Sequence, residues 1–102
     1  MFVSMLLEFG PTYELTQSLV TSKLNNDGTA LQDQSDPTLP AGTRFVVFDW
    51  NEWEPYSKEL KNIGKNPNFY AIKLEAEVHG SSKYLALAHR LERDSKLIQK
   101  PE

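Results

Sequence analysis

FYAIKLEAEVH, residues 69–79, decides the fold class, because apolar and polar residues alternate along it. The apolar residues at every second position are Tyr70, Ile72, Leu74, Ala76 and Val78. A period of two places all of them on one face of a β-strand. The stretch therefore predicts a strand with one buried face.

A second strand is predicted for Thr43 to Trp50, TRFVVFDW, which is rich in β-branched and aromatic residues and follows the turn residues 39–42. Apolar residues occupy both faces: Phe45 and Val47 on one, and Val46, Phe48 and Trp50 on the other. We expect both sides of this strand to be covered, as where a barrel strand passes under a loop.

Upstream of these strands, residues 13–24 have the Thr, Val and Tyr content of a strand, although their leucine spacing also suits a short helix. Asn25–Gly28 predicts a turn, and residues 29–42 predict a long loop that Pro37 and Pro40 keep extended. Residues 57–64 predict one or two helical turns that end at Gly64.

The C-terminal segment has two interpretations. Gly80-Ser81 after a strand favours a hairpin that returns through residues 83–91. However, apolar residues also recur at helical spacing, at Tyr84, Leu87, Ala88 and Leu91, and a serine precedes them as a cap. We favour the hairpin and keep a C-terminal helix at 82–98 as the alternative.

The fold class that follows is all-β: a small curled sheet or barrel of about five strands with one short helical turn. In size and strand spacing the chain resembles the SH3-like barrels. With the helical alternative for residues 82–98, the fold becomes α+β.

The chain has 102 residues, 39% hydrophobic and 25% charged, which predicts one globular domain over 1–102 with a frayed end at 99–102. It contains no cysteine, which excludes a disulfide framework and thiolate chemistry. The apolar start has no basic segment before it and is too short to span a bilayer, so we expect no membrane association and a cytoplasmic location.

Charge is distributed unevenly along the chain. Residues 1–56 hold eight acidic and two basic residues, whereas residues 57–102 hold six acidic and nine basic residues. Such a division is typical of two halves that attract each other, and it can also mark a surface for a partner.

Catalysis is not indicated by any motif. Asp49, Glu52 and Glu54 could form a carboxylate pair, but their position at a strand end fixes no distance between carboxyl groups. His79 and His89 lack the third ligand of a catalytic zinc site. We therefore expect no enzyme activity, no catalytic residues, no metal site and no cofactor.

Nucleic-acid binding is the alternative function, through the basic C-terminal half: Lys58, Lys61, Arg90 and Arg93. The aromatic residues that would stack on bases lie among acids, and these acids would repel phosphate. We therefore expect a protein partner rather than nucleic acid.

Protein binding is the favoured function, and the segment DWNEWEPY, residues 49–56, carries it. We expect Trp50 in the core and an acidic–aromatic patch at the surface, formed by Glu52, Trp53, Glu54 and Tyr56. Aromatic side chains dominate interface energies, and carboxylates would bind Lys or Arg of a basic or proline-rich partner. A second copy of the chain is an alternative partner, and a small ligand in a barrel mouth is a third hypothesis.

Overall fold

The structure is a computed structural model that describes residues 6–24, 37–47 and 68–99. Most of these residues lie in strands, and one short helix is present among them. In chain order the elements are β1 (Thr12–Leu15), β2 (Leu19–Val20), β3 (Ser22–Lys23), β4 (Thr38–Leu39), β5 (Arg44–Val47), β6 (Phe69–Val78), β7 (Ser81–Leu87), α1 (Ala88–Arg93) and β8 (Ser95–Gln99).

Six strands form one antiparallel sheet with the order β3-β7-β6-β5-β1-β8. β2 and β4 form a separate antiparallel pair. The described strands therefore give an order that ends at β3 and at β8, which is compatible with the predicted curled sheet. Closure into an SH3-like barrel stays a prediction. The described residues form eight strands, more than the predicted number of about five, and three of these strands have only two residues.

The alternating stretch is confirmed as β6, the longest strand. Ile72 and Leu74 are buried and Lys73 is exposed, as the period of two predicts. Ala76 is exposed despite its place on the apolar face. The pairing of β6 with β7 shifts between Lys73 and Val78, so the predicted burial does not extend through this irregular part.

One face of the large sheet carries the core. Tyr13, Phe45 and Leu74 are successive partners across β1, β5 and β6, and all three are buried. The Tyr13 and Phe45 rings stack with centroids 5.8 Å apart. Other members of the core are Leu7, Leu15, Leu19, Leu39, Val47, Ile72, Tyr84, Ala86 and Leu91.

The predicted hairpin after β6 is confirmed by a two-residue turn. His79 (φ 52°) and Gly80 (φ 80°) both have positive φ, and Val78 pairs with Ser81 across the turn. Two positive φ values match the right-handed twist of the flanking strands. The Tyr84 hydroxyl donates to the Val78 carbonyl and ties β7 to the turn.

The alternative of a helix over 82–98 is wrong as a continuous element. Residues 81–87 are strand β7, residues 88–93 are α1, and residues 95–99 are β8. Tyr84 and Leu85 point to opposite faces of β7 and are both buried, which a strand inside a sheet provides. Leu91 is the buried residue of α1, so the helical spacing is used only at its C-terminal end.

The remaining sequence expectations are resolved in part. Residues 13–24 contribute to three short strands, as the strand interpretation predicted, and Thr38–Leu39 forms β4 within the predicted loop 29–42. β5 lies within the predicted strand at 43–50, whose last residues fall outside the description, as do the helical turns predicted at 57–64. Gln99, expected to fray, is the last residue of β8. The described residues include no helix with the length and apolar character to cross a bilayer.

Candidate partner-binding edge of the sheet

The residues predicted to bind a partner fall into two groups. Glu52, Trp53, Glu54 and Tyr56 lie outside the described residues, as do Lys58 and Lys61 of the nucleic-acid alternative. Arg90 and Arg93 lie on α1 and are exposed. The acidic–aromatic patch therefore stays a prediction from the sequence.

Arg93 is engaged in a structural contact. Its Nε and Nη2 atoms donate to the two carboxylate oxygens of Asp94 at 2.9 and 3.0 Å. Asp94 is 2% exposed and also accepts a hydrogen bond from the Gln17 amide. The Arg93 hydrogen bonds, opposed by desolvation and aided by Gln17, lower the pKa of the Asp94 carboxyl. Arg93 thus neutralises a buried acid, a role that the nucleic-acid interpretation did not anticipate.

Arg90 has a different setting. It lines a cleft of about 300 Å³ together with residues of β3, β6 and β7. Among the described residues, its guanidinium takes part in no hydrogen bond or ion pair. The other residues that line the cleft are Val20, Thr21, Ser22, Phe69, Leu85 and Leu87. The lining is largely apolar and includes one cation, so it is not a basic groove.

The two histidines lie in unrelated places. His79 occupies the hairpin turn, where its Nε2 atom is 3.0 Å from the Thr38 carbonyl oxygen. His89 is exposed on α1. Within ranges 6–24, 37–47 and 68–99, no group of three His, Cys, Asp or Glu side chains could hold a metal ion.

The strand β8 stands at one end of the strand order of the six-stranded sheet. Among the described strands it pairs with β1 alone. Its residues from Lys96 to Gln99 are all exposed. Leu97 is 40% and Ile98 is 37% exposed, so apolar side chains lie on both faces of this edge.

The backbone of β8 is directed by its pairing with β1. The Thr16 N–H donates to the Asp94 carbonyl at 2.7 Å, just before β8 begins. In an antiparallel ladder every second pair of residues is hydrogen-bonded. Thr16 and Asp94 form such a pair, so the next one is Glu14 with Lys96, and the N–H and C=O groups of Lys96 face β1. Those of Ser95 and Leu97 face away from β1, toward the edge. An edge of this kind can accept a further strand.

Charged side chains form a row across four strands on the face opposite the core. Lys96 Nζ lies 3.4 Å from Glu14 Oε1, and Arg44 Nε donates to Glu14 Oε2 at 3.0 Å. Phe45 of β5 pairs with Leu74 of β6, and continuing this register by one residue places Glu75 opposite Arg44. From β6 to β8 the signs therefore alternate, and the row ends on Lys96, whose side chain is 56% exposed.

A shallow cleft of about 320 Å³ lies beside this charged row. Ile98 and Gln99 of β8 line it together with Val46 of β5. Its other lining residues are Thr12, Arg44, Phe45, Lys73, Leu74 and Glu75.

Two further apolar side chains are exposed near the N-terminus. Leu6 is 79% and Phe9 is 62% exposed, although Leu7 between them belongs to the core. The Glu8 N–H donates to the Tyr13 hydroxyl at 2.9 Å, so this segment is held near the core. Leu97 lies opposite Tyr13 on β8. Tyr13 therefore connects the N-terminal segment with the edge strand.

The edge strand β8 is not predicted from the sequence, because the hairpin interpretation ends at residue 91 and the alternative places a helix over 82–98. Leu97 and Ile98 are two adjacent apolar residues between Lys96 and Gln99, and so short a run does not distinguish a strand from a helix. The ion pair between exposed Arg93 and buried Asp94, at the junction of α1 and β8, could not be expected from local sequence.

Comparison of the chain with protein-family models, with curated proteins and with solved structures finds no match in any of the three.

Proposed function

We propose that this chain is a protein-binding domain that acts by occupying the surface of another protein and not by catalysis. The observation that carries the proposal is the exposed edge strand β8, with apolar side chains on both faces and backbone groups directed outward. Strand addition at a sheet edge is a recurrent way of recognising an extended segment of a partner. We place this activity in the cytoplasm, as the cysteine-free sequence suggests.

The acidic–aromatic patch is the second surface in this proposal. Glu52, Trp53, Glu54 and Tyr56 would bind a basic or proline-rich segment, with the aromatic rings taking the apolar part. Two surfaces of different chemistry in one small domain suit an adaptor or an inhibitor that contacts its partner over a wide area.

Nucleic-acid binding is less well supported by the described residues. Of its two described arginines, Arg93 is engaged with Asp94, and Arg90 lies beside a mostly apolar cleft. A basic groove with several free cations is what single-stranded nucleic acid requires.

The experiment is a capture from the nuclease-treated lysate of the natural host with the immobilised chain as bait. Four baits are compared after each has been shown to fold: wild type, Trp53→Ala/Tyr56→Ala, Leu97→Pro and Arg90→Ala. Leu97→Pro removes a backbone N–H that faces the edge, and Arg90→Ala is the control for the nucleic-acid alternative.

We expect a protein that the wild type and Arg90→Ala both capture and that at least one of the other two baits loses. Loss with Trp53→Ala/Tyr56→Ala alone assigns binding to the patch, and loss with Leu97→Pro alone assigns it to the edge. Capture that occurs only from a lysate without nuclease treatment would contradict the proposal. Equal capture by all four baits would contradict it as well.

A further inference from the structure

We propose that β8 receives an antiparallel strand of another protein with an acidic residue opposite Lys96 and apolar residues opposite Leu97 and Ile98. In the partner's sequence this is two apolar residues followed by Asp or Glu. The inference rests on the proposed function and specifies the chemistry of the partner at one of its surfaces.

The backbone geometry sets the register of the added strand. Ser95 and Leu97 direct their N–H and C=O groups away from β1. A partner residue opposite Leu97 can therefore exchange two hydrogen bonds with it. The neighbouring partner residue, opposite Lys96, sits at a non-hydrogen-bonded position, where the side chains of an antiparallel pair approach most closely.

Charge complementarity selects the residue opposite Lys96. The row Glu75, Arg44, Glu14 and Lys96 alternates in sign across β6, β5, β1 and β8. A carboxylate on the added strand continues this alternation at the fifth strand. Lysine there would stand directly opposite Lys96, and like charges in that position are destabilising.

Apolar contact selects the other two residues. Leu97 shares the core-side face with Tyr13, and a partner side chain there would cover its exposed fraction of 40%. Ile98 lines the 320 Å³ cleft together with Val46, so an apolar partner side chain opposite Ile98 would extend this apolar surface. Burying such surface contributes roughly 25 cal/mol per Å² before the costs of association.

A second copy of the chain fits this edge less well. If two β8 strands paired about Leu97, the Ile98 of the second copy would lie opposite Lys96 and supply no carboxylate. If they paired about Lys96, two ammonium groups would face each other. A lysine and a bulge, which β8 has beside Thr12, are also how natural edge strands discourage indiscriminate pairing. The edge therefore favours an acidic partner strand over itself.

The test uses two cyclic β-hairpin peptides whose outer strands carry Val-Val-Glu or Val-Val-Lys and are otherwise identical. Cyclisation removes most of the ordering cost that would weaken a linear peptide. Dissociation constants are measured by NMR titration of the isotope-labelled full chain. We expect the glutamate hairpin to bind about threefold to tenfold more tightly, with shifts centred on residues 95–99.

Charge reversal supplies the matched control. Lys96→Glu is expected to reverse the order of the two hairpins. Lys23→Glu makes the same change of net charge on β3, at the other end of the strand order, and the order of the two hairpins should persist. Leu97→Pro should abolish binding of both hairpins while the chain stays folded. If the proline variant unfolds, Leu97→Lys is measured in its place. It keeps the backbone N–H donor but removes the apolar side chain, and it should weaken binding of both hairpins.

Several results would overturn the inference. They are equal affinity for both hairpins, shifts centred away from β8, and no binding of either hairpin at about 1 mM. Concentration-dependent shifts of β8 without peptide would make a second copy the occupant. The proposed function could survive each result, because loss of lysate capture with Trp53→Ala/Tyr56→Ala would still assign a protein partner to the patch.

Discussion

Lys96 on the edge strand lies opposite Glu14 on β1, and its Nζ atom is 3.4 Å from Glu14 Oε1. Glu14 also accepts a hydrogen bond from Arg44, which is the main reason that the pKa of its carboxyl is lowered. Glu14 is thus shared between two cations. The Lys96 side chain contacts the Glu14 carboxylate on the side of β1. The other side of Lys96 faces the position that an added strand would occupy.

Replacing Glu14 with Gln should strengthen binding of the acidic hairpin. The substitution removes the charge that partly neutralises Lys96 and Arg44, so the edge becomes more positive. We expect the preference for glutamate over lysine to increase about twofold to fivefold at low salt and to shrink at high salt. The titration described above measures both. An unchanged preference would show that Lys96 does not select the partner's charge.

Replacing Asp94 with Asn should destabilise the junction between α1 and β8. The variant loses the charge of a buried carboxylate that accepts hydrogen bonds from Arg93 and Gln17. Hydrogen bonds to charged groups contribute about 1.5–3 kcal/mol each, so we expect a loss in this range. Urea denaturation of both proteins at pH 7 measures it.

The same carboxyl predicts a pH dependence. Its pKa is lower in the folded chain than in the unfolded one, chiefly because of Arg93. The stability that it contributes is therefore complete above the unfolded pKa, near pH 4, and is lost as the pH falls through the folded pKa. The unfolding free energy of the wild type should decline below about pH 4. The unfolding free energy of Asp94→Asn should decline less over the same pH range. Parallel curves of unfolding free energy against pH for the two proteins would contradict the assignment.

Two serines give opposite predictions for the same substitution. Ser81 donates from Oγ to the Leu24 carbonyl at 2.6 Å and accepts from the Lys83 N–H at 3.1 Å. The Ser95 Oγ is buried and has no hydrogen-bond partner within the described part of the chain. We expect Ser81→Ala to cost about 1–3 kcal/mol and Ser95→Ala to leave the stability unchanged or higher. Thermal melts of the two variants provide the comparison, and equal losses would contradict it.

Gly80 is required by the hairpin turn between β6 and β7. Its φ of 80° is a conformation that residues with a Cβ rarely adopt. Among the described residues, the two chain neighbours aside, no atom lies within 4 Å of the added Cβ. Backbone strain alone should therefore make Gly80→Ala about 1 kcal/mol less stable. Gly80→Asn should cost less, since Asn tolerates positive φ. If the alanine and asparagine variants have the same melting temperature, backbone strain is not the cause of the lost stability.

The regular part of the fold could be predicted from the sequence. The alternation at 69–78 specified β6, and Gly80 with its neighbours specified the hairpin, because both depend on local chemistry. The order of strands could not be predicted. β1 pairs with both β5 and β8, and those contacts join residues that are about 30 and 80 positions apart in the sequence.

The candidate edge also depended on contacts that local sequence does not contain. The chain leaves α1 and enters β8 at Asp94, whose carbonyl accepts hydrogen bonds from Thr16 N–H and Oγ1. These hydrogen bonds and the pairing of β8 with β1 hold the residues after α1 as a strand at the sheet edge. The acidic–aromatic patch, by contrast, is a prediction from residue type alone, and it stays one.

Hydrogen exchange of two adjacent backbone amides tests the central claim most directly. The Lys96 amide faces β1, so it should be protected in the free chain, whereas the Leu97 amide faces the edge and should exchange quickly. Saturation with the Val-Val-Glu hairpin should slow exchange at Leu97 and leave Lys96 little changed. A Leu97 amide that is already protected in the free chain, or that stays fast when the hairpin is bound, would contradict strand addition at β8.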